Sequence, residues 1–475
     1  VDGYILTFAT LLLTSGSIGD RYGRKKTLIV GLIWFGIVSA LAGFSPSTNV
    51  LIGARSVLGV GGALILPATL SIITVTFPPN ERAQAIAIWA AIFGLGVALG
   101  PILGGFLLEH FDWNSVFLVS LPVCAIAAAG SWRYLGDSHD ENPPALDLPG
   151  VVLSIAGLFA LVFGIISAGV RGWTDTTVIV SLAIALVVLS IFGWWEAHSP
   201  NAMLPLRFFR NMSFTAASIT MAFVTFCQFT VLFFFSPYFQ TVQGYSTFQA
   251  GLRLLPLALT LTIMATISAR VAAWIGTKYT VTLGLLVAAG GYFYIAQIYR
   301  VDTPFPLAML GQIIIGVGVG LTFSPATNSI MGSVPFDKAG IGSAMNDTTR
   351  QFGGALGVAV MGTILNLSYT GSINALKTAL PQLPPDTLAQ INGSLQAAHQ
   401  VATSLPATAS RTVLAIVDQA YVSGMDHAFT IGTEIVLCVA LFALLFLPNR
   451  IRRADDYAAP VAEPTAALFD ASTGK

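Results

Sequence analysis

Charge is what this 475-residue chain has least of. It carries 22 Lys+Arg and 22 Asp+Glu, only 9% of its residues, with a formal net charge of zero. A soluble domain carries about 25% charged residues, so a water-facing surface for a globule of this length cannot be assembled. The zero balance and the lack of a basic domain exclude nucleic acid as a partner. Cysteine is scarce too. Cys124, Cys227 and Cys438 each lie in an apolar run, which argues against a disulfide framework and against metal-ligand spacing. The five histidines form no HExxH-type cluster, and no GxxxxGK[ST] loop occurs. No metal, no cofactor and no ATP drive are therefore expected. No basic region precedes the first apolar run, so no signal peptide is read. The first residue is Val1, and a chain that begins inside a longer parent is expected.

What the chain does have is apolar length: 55% of its residues are hydrophobic. A helix needs about 20 mostly apolar residues to cross a bilayer. Thirteen stretches qualify: 3–19, 27–45, 50–77, 83–108, 114–135, 148–168, 177–196, 212–239, 248–274, 279–299, 305–331, 339–366 and 427–448. Strict period-two alternation is absent, which excludes a transmembrane β-barrel. The expected class is an all-α integral membrane protein.

Loop charge orients the spans. With the 19–27 loop inside, fourteen Lys and Arg fall in inner loops and four in outer ones. Such a positive-inside bias places the last residues in the cytoplasm. Residues 367–426 are then a long outer loop, with helices expected around 386–403 and 408–421. Residues 449–475, rich in Ala, Pro and Asp, read as a disordered cytoplasmic tail.

An internal repeat sets the organisation. Gly59-Val60-Gly61 and Pro67-Ala68-Thr69-Leu70-Ser71-Ile72 return as Gly316-Val317-Gly318 and Pro325-Ala326-Thr327-Asn328-Ser329-Ile330. Ala98-Leu99-Gly100 returns as Ala355-Leu356-Gly357. The offset is 257 (316 − 59), slipping by one at the Pro-Ala-Thr segment (325 − 67), and it spans eight predicted helices. Many transporters are built from such halves around a central site. With six helices in each half, spans 148–168 and 177–196 become a two-helix insert, and the first half lacks one helix. The expected domains are an N-terminal half at 1–135, an insert at 136–200 and a C-terminal half at 201–448.

Three motifs follow in order. The first is Gly16-Ser17-Ile18-Gly19-Asp20-Arg21-Tyr22-Gly23-Arg24-Lys25-Lys26, which joins two spans on the inner side. Its glycines allow a tight turn and close helix approach, and Asp20 is placed to pair with an Arg or a helix N-terminus. The second surrounds Arg55, and the third is Gly96-Val97-Ala98-Leu99-Gly100-Pro101-Ile102-Leu103-Gly104-Gly105. Gly96, Gly100 and Gly104 make a smooth helix face, and Pro101 favours a kink. Close packing of that face is expected to seal an outer exit.

Together these segments resemble the signature loop, the membrane-arginine motif and the antiporter motif of the major facilitator superfamily. Ile18, Gly19 and Leu58 depart from its usual pattern. With the repeat and the insert, the chain resembles the fourteen-helix drug:proton antiporter family. The resemblance implies an inner gate at Gly16, Asp20, Arg21, Gly23 and Arg24. It also implies an outer seal involving Gly96, Gly100, Pro101, Gly104 and Gly105. Arg55, within its span, is placed to order that helix against its neighbours or to attract a carboxylate.

Charges inside the bilayer are functional candidates by default. Asp347 lies about eight residues into its span, roughly 12 Å deep at 1.5 Å per residue, with Arg350 one turn on. Glu434 lies at similar depth in the last span. Burial disfavours the charged form of a carboxyl group, which suits it to proton exchange. Asp347, Glu434 and Arg350 are the proton-coupling candidates, and a fixed Asp347–Arg350 ion pair is the structural alternative. Phe226, Gln228 and Phe229, in a Phe-rich span, and Gln312, Asn328 and Asn346 are the candidate cavity lining, since aromatic faces suit apolar cations.

The expected activity is secondary active export of small amphipathic or cationic molecules in exchange for protons. A monomer surrounded by lipid is expected, in a bacterial plasma (inner) membrane. A lipid or endogenous-metabolite exporter of the same fold is the alternative. A membrane-embedded enzyme would need a nucleophile–base or metal constellation that is not found, and a channel is a third option.

Overall fold

The computed structural model describes residues 2–139 and 147–449. The positively charged Arg450, Arg452 and Arg453, and nearly all of the expected tail, lie outside the described residues, as does 140–146 at the start of the insert. Among the described residues every regular element is helical. In chain order they are α1 (Asp2–Tyr22), α2 (Arg24–Gly43), α3 (Thr48–Thr76), α4 (Pro79–His110), α5 (Ser115–Leu118) and α6 (Ser120–Tyr134). The two helices expected as an insert follow as α7 (Leu148–Arg171) and α8 (Thr176–His198). Then come α9 (Met212–Pro237), α10 (Thr247–Arg253), α11 (Leu255–Ile275), α12 (Thr277–Ile298), α13 (Phe305–Gly332), α14 (Ala339–Ala379), α15 (Pro385–Gly393), α16 (Leu395–Ser404) and α17 (Ala407–Phe446).

Short-range chemistry explains the starts of several helices. Asp147, Asp175 and Asn211 each accept a hydrogen bond from a first-turn amide, and Ser246 forms a capping box with Gln249. Such caps satisfy amides that have no intrahelical partner. Gly23 and Gly276 separate consecutive helices at φ 111° and 92°, a backbone region that glycine enters without a Cβ clash.

Twelve helical segments among the described residues are long and apolar enough to cross a membrane. The thirteenth predicted span coincides with α1, which is 21 residues long but interrupts its apolar residues with Thr, Ser and Gly. It packs between α3, α7 and α14 rather than facing outward alone. The rim of the bundle is apolar: Ile126, Leu186 and Trp274 are 74%, 71% and 88% exposed. An exterior of this kind is stable against lipid tails, not water.

The repeat reappears as a packing rule. The segment 59–72 lies in α3 and its copy in α13, while 98–100 lies in α4 and its copy in α14. The helix α14 crosses α1, which ends just before Gly23. Correspondingly, α4 crosses α11, which ends just before Gly276. Each long helix therefore packs on the first helix of a glycine-linked pair in the opposite repeat. The insert helix α7 packs on α8, α1 and α14.

Three boundaries differ from expectation, the first being the span expected to end at 366, which continues to Ala379 in α14 and takes the start of the expected outer loop with it. The segment expected as a separate helix at 408–421 is continuous with the last span, forming the 40-residue α17. Its residues keep apolar positions on the face that meets α14, so nothing interrupts the helix. The helix expected over 386–403 is broken at Ser394, whose extended backbone and hydroxyl cap α16 through the Ala397 amide.

Candidate transport site and gates

The first motif ties the end of α1 to the start of α14. Gly23 turns the chain so that Arg24 follows Asp20 by one helical turn, with Arg24 Nη2 2.6 Å and Nε 2.9 Å from Asp20 Oδ1. Both side chains are buried. The same carboxylate accepts the amides of Gly340 at 2.8 Å and Ile341 at 3.0 Å, capping α14 from another helix. The Arg24 guanidinium reaches further, to the carbonyls of Phe336 and Asp337. One acid–base pair thus serves the donors of the α14 N-terminus and the carbonyls just before it. Anions are favoured at helix N-termini by about 0.3–1 kcal/mol when exposed and up to about 2 when partly buried. Above this clamp, Gly16 and Gly340 meet backbone to backbone; a Cβ on either would run into the other's carbonyl. Arg21 lies over the ring of Tyr22, and Lys25 donates to the Leu135 carbonyl.

Further along the bundle axis a cavity of about 990 Å³ opens. Its walls include Phe8 of α1, Phe93 of α4, Phe229 and Phe233 of α9, Gln351 of α14 and Tyr421 of α17. Asn392, Ser394 and Gln396 at the α15–α16 junction also line it. No charged side chain lines it among the described residues. The α15–α16 segment is held by the Tyr369 hydroxyl, which donates to the Ile391 carbonyl, and by a 2.7 Å contact between His399 and Asp418. Of the expected lining residues, only Phe229 faces this cavity. Phe226, Gln228, Gln312 and Asn346 are buried and Asn328 is half-buried, none of them lining it. On α9 the cavity-facing positions are 229, 233 and 237, one every four residues, whereas Gln228 is rotated by about 100° from Phe229. Gln228 Oε1 and both amide atoms of Gln312 are left without a protein hydrogen-bond partner.

Asp347 and Arg350 are a buried ion pair, Nη1 to Oδ1 at 3.1 Å. Asn346 Nδ2 donates to the same oxygen at 3.3 Å. The guanidinium is enclosed by rings: its carbon lies 4.0 Å from the Phe93 centroid, 4.7 Å from Phe323 and 5.6 Å from Trp89. Asp347 Oδ2 and Arg350 Nε have no protein partner. A buried charge normally satisfies all its hydrogen-bonding sites, so this pair retains capacity for a proton or a polar guest. Phe93 touches both the ion pair and the cavity.

Two expectations are corrected. Glu434 is exposed, on the outward face of α17 with Ile431, Leu437 and Leu441. The helix turns its small and aromatic residues, Gly432 and Phe429 among them, toward its neighbours, which carries Glu434 outward. Likewise Gly96, Gly100 and Gly104 do not make the close contact: a Cβ on any of them would meet nothing within 4 Å. The contact with α10 and α11 is made by Gly94, Pro101 and Gly105. A Cβ on Gly105 would come within 2.8 Å of the Phe248 backbone, and Gly251 faces the Pro101 carbonyl. Positions 94, 101 and 105 are spaced by seven and four, so they share a stripe that 96, 100 and 104 do not. Arg55 is half-buried and lies 5.9 Å from the Phe117 ring.

This arrangement is that of a polytopic helical membrane protein whose repeats are joined by a buried clamp and enclose a cavity. The sequence matches the Major Facilitator Superfamily model over residues 2–358, and the chain belongs to that superfamily. It is 32% identical over 448 residues to the tetracenomycin C resistance and export protein of Streptomyces glaucescens, covering 93% of this chain and 83% of that protein. It is 33% identical over 441 residues to the multidrug efflux pump LfrA of Mycolicibacterium smegmatis, covering 93% and 86%. The human organic anion transporter MFSD10 shares the fold, with a TM-score of 0.60 at 16% identity over 93% of this chain and 82% of that one.

Proposed function

We propose that the protein exports amphipathic, aromatic or cationic small molecules in exchange for protons, by alternating access. The observation that carries this reading is the Asp347–Arg350 pair beside the cavity, buried yet with Asp347 Oδ2 and Arg350 Nε unpartnered. Phe93 links it to an aromatic cavity large enough for a drug-sized compound. Protonation of Asp347 weakens its hold on Arg350, which shifts against Phe93 and alters the cavity wall. Cargo and proton then compete for one arrangement of α14. The named activities of the export and multidrug relatives support the same cargo class.

In this reading residues 1–135 and 201–448 are the two transporter halves and 136–200 is the insert. The Asp20–Arg24 end is cytoplasmic, the α15–α16 end faces outward, and a bacterial inner membrane is the site of action. The bundle works as a monomer in lipid.

Proteoliposomes with a pH-sensitive dye inside test the reading, with ethidium as aromatic cation. Wild-type protein should couple ethidium movement to opposite proton movement. Asp347→Asn should lose the proton signal and retain ethidium binding, with monodispersity of the purified variant checking its fold. Ethidium movement in wild type without proton counterflow would sink the antiport reading. Normal coupling in Asp347→Asn would move the proton elsewhere.

A further inference from the structure

A second acidic site lies in the insert, apart from the cavity. Asp147 caps the start of α7 and Glu196 sits near the end of α8, and the two are 7% and 4% exposed. One oxygen of each is engaged. Asp147 Oδ1 accepts from Trp195 Nε1 at 2.8 Å and from the Gly150 amide at 3.0 Å. Glu196 Oε2 accepts from the Leu204 amide at 2.9 Å.

The other oxygens, Asp147 Oδ2 and Glu196 Oε1, are buried and have no protein hydrogen-bond partner. They converge. Glu196 Oε1 lies 2.9 Å from the point where a Cβ on Gly150 would sit, and Asp147 Oδ2 lies closer still. The two oxygens are therefore less than 5.8 Å apart (2 × 2.9 Å). Glycine at position 150 leaves the space between them empty of side chain.

Two negative charges at these facing oxygens would repel each other. Their repulsion is strong where water is excluded, and each bare oxygen lacks a donor. A proton held by one carboxyl group and donated to the other satisfies both oxygens and removes one charge, as in other paired carboxyl groups. Glu196 also borders a cavity of about 1190 Å³ at the gate end, which gives a path for that proton. The charged or titratable groups around this cavity are Arg24, His139, Arg207, Arg210, Asp337 and Lys338. Of these, Arg24 is committed to Asp20.

We propose that Asp147 and Glu196 form a proton-binding pair in the two-helix insert, distinct from the Asp347 site. The proton joins the start of α7 to the end of α8. Through the Leu204 amide it also anchors the segment leading into α9. Since α7 packs on α1 and α14, the helices clamped by Asp20, the pair is placed to tune the gate. Loss of the proton puts two negative charges side by side and loosens this end of the insert.

Infrared difference titration of the purified full chain tests the proposal through the carbonyl-stretch band of protonated carboxyl groups. Wild type should show a band near neutral pH that Glu196→Gln and Asp147→Asn each remove, since either amide replaces the carboxyl proton with an N–H donor. Both variants keep the oxygen that Leu204, or Trp195 and Gly150, requires, so they should stay folded. Gly150→Ala retains both carboxyl groups but places a methyl between them, and should also abolish or shift the band. A band unchanged in all three variants would overturn the proposal. So would absence of the band together with sodium, potassium or magnesium binding that the variants lose, because the pair would then hold a metal cation. None of these outcomes depends on which cargo is exported or on Asp347.

Discussion

Asp20 accepts the backbone amide of Gly340 across 320 residues of chain. The bond joins the end of α1 to the start of α14, so a side chain in one repeat caps a helix in the other. Because the same carboxylate holds Arg24, it cannot be lost without leaving a buried guanidinium short of its partner. Breaking one side of a buried pair costs about 3–5 kcal/mol. Asp20→Asn keeps an oxygen for one amide but drops the charge, and should loosen this end. Ethidium export from cells should fall several-fold at equal membrane expression. Unchanged export would reduce the loop to a positively charged anchor.

The helix crossings predict which glycines are sensitive. Gly16→Ala should be destabilising, because its Cβ has nowhere to go but into Gly340. Gly105→Ala should be so too, against the Phe248 backbone. Overpacking typically costs about 1–3 kcal/mol. Gly100→Ala, with open space around it, should be tolerated. Thermal unfolding of the purified variants gives the ranking, and equal melting of all three would refute these contacts.

Among the described residues, Phe93 is the one ring that touches both the Arg350 guanidinium and the cavity. Phe93→Ala removes a cation–π contact, worth about 0.5–2 kcal/mol, together with a wall of the cavity. Ethidium should bind roughly 2- to 30-fold more weakly, by the usual conversion of free energy to affinity. Tryptophan quenching or calorimetry would read this, and wild-type affinity would place the cargo elsewhere.

Glu434→Gln tests the rival carboxylate. The side chain is exposed and does not line the cavity, so coupling ratio and turnover in proteoliposomes should match wild type. A selective loss of proton movement would restore Glu434 as a carrier.

The apolar runs, the positively charged loops and the repeat are local properties, and all three were legible from residue order. So was the pairing of Asp347 with Arg350, because one helical turn separates them. Asp20 was recognisable as a capping group without its partner being known, since no local rule names a helix 320 residues away. The cavity lining was read poorly. Polar residues in apolar spans, such as Gln312 and Asn328, signalled burial but not direction, and Gln351 and Tyr421 carried no mark of their own.

Residue order alone therefore determined that this is a helical membrane protein built on a repeat, because bilayer thickness acts on each segment separately. Tertiary structure decided everything that depends on rotation about a helix axis. A single residue turns a helix face by about 100°, and only neighbouring helices choose which face is buried. That choice put Gly105 rather than Gly100 at the crossing with α10, turned Glu434 outward, and brought Asp147 and Glu196 together at Gly150.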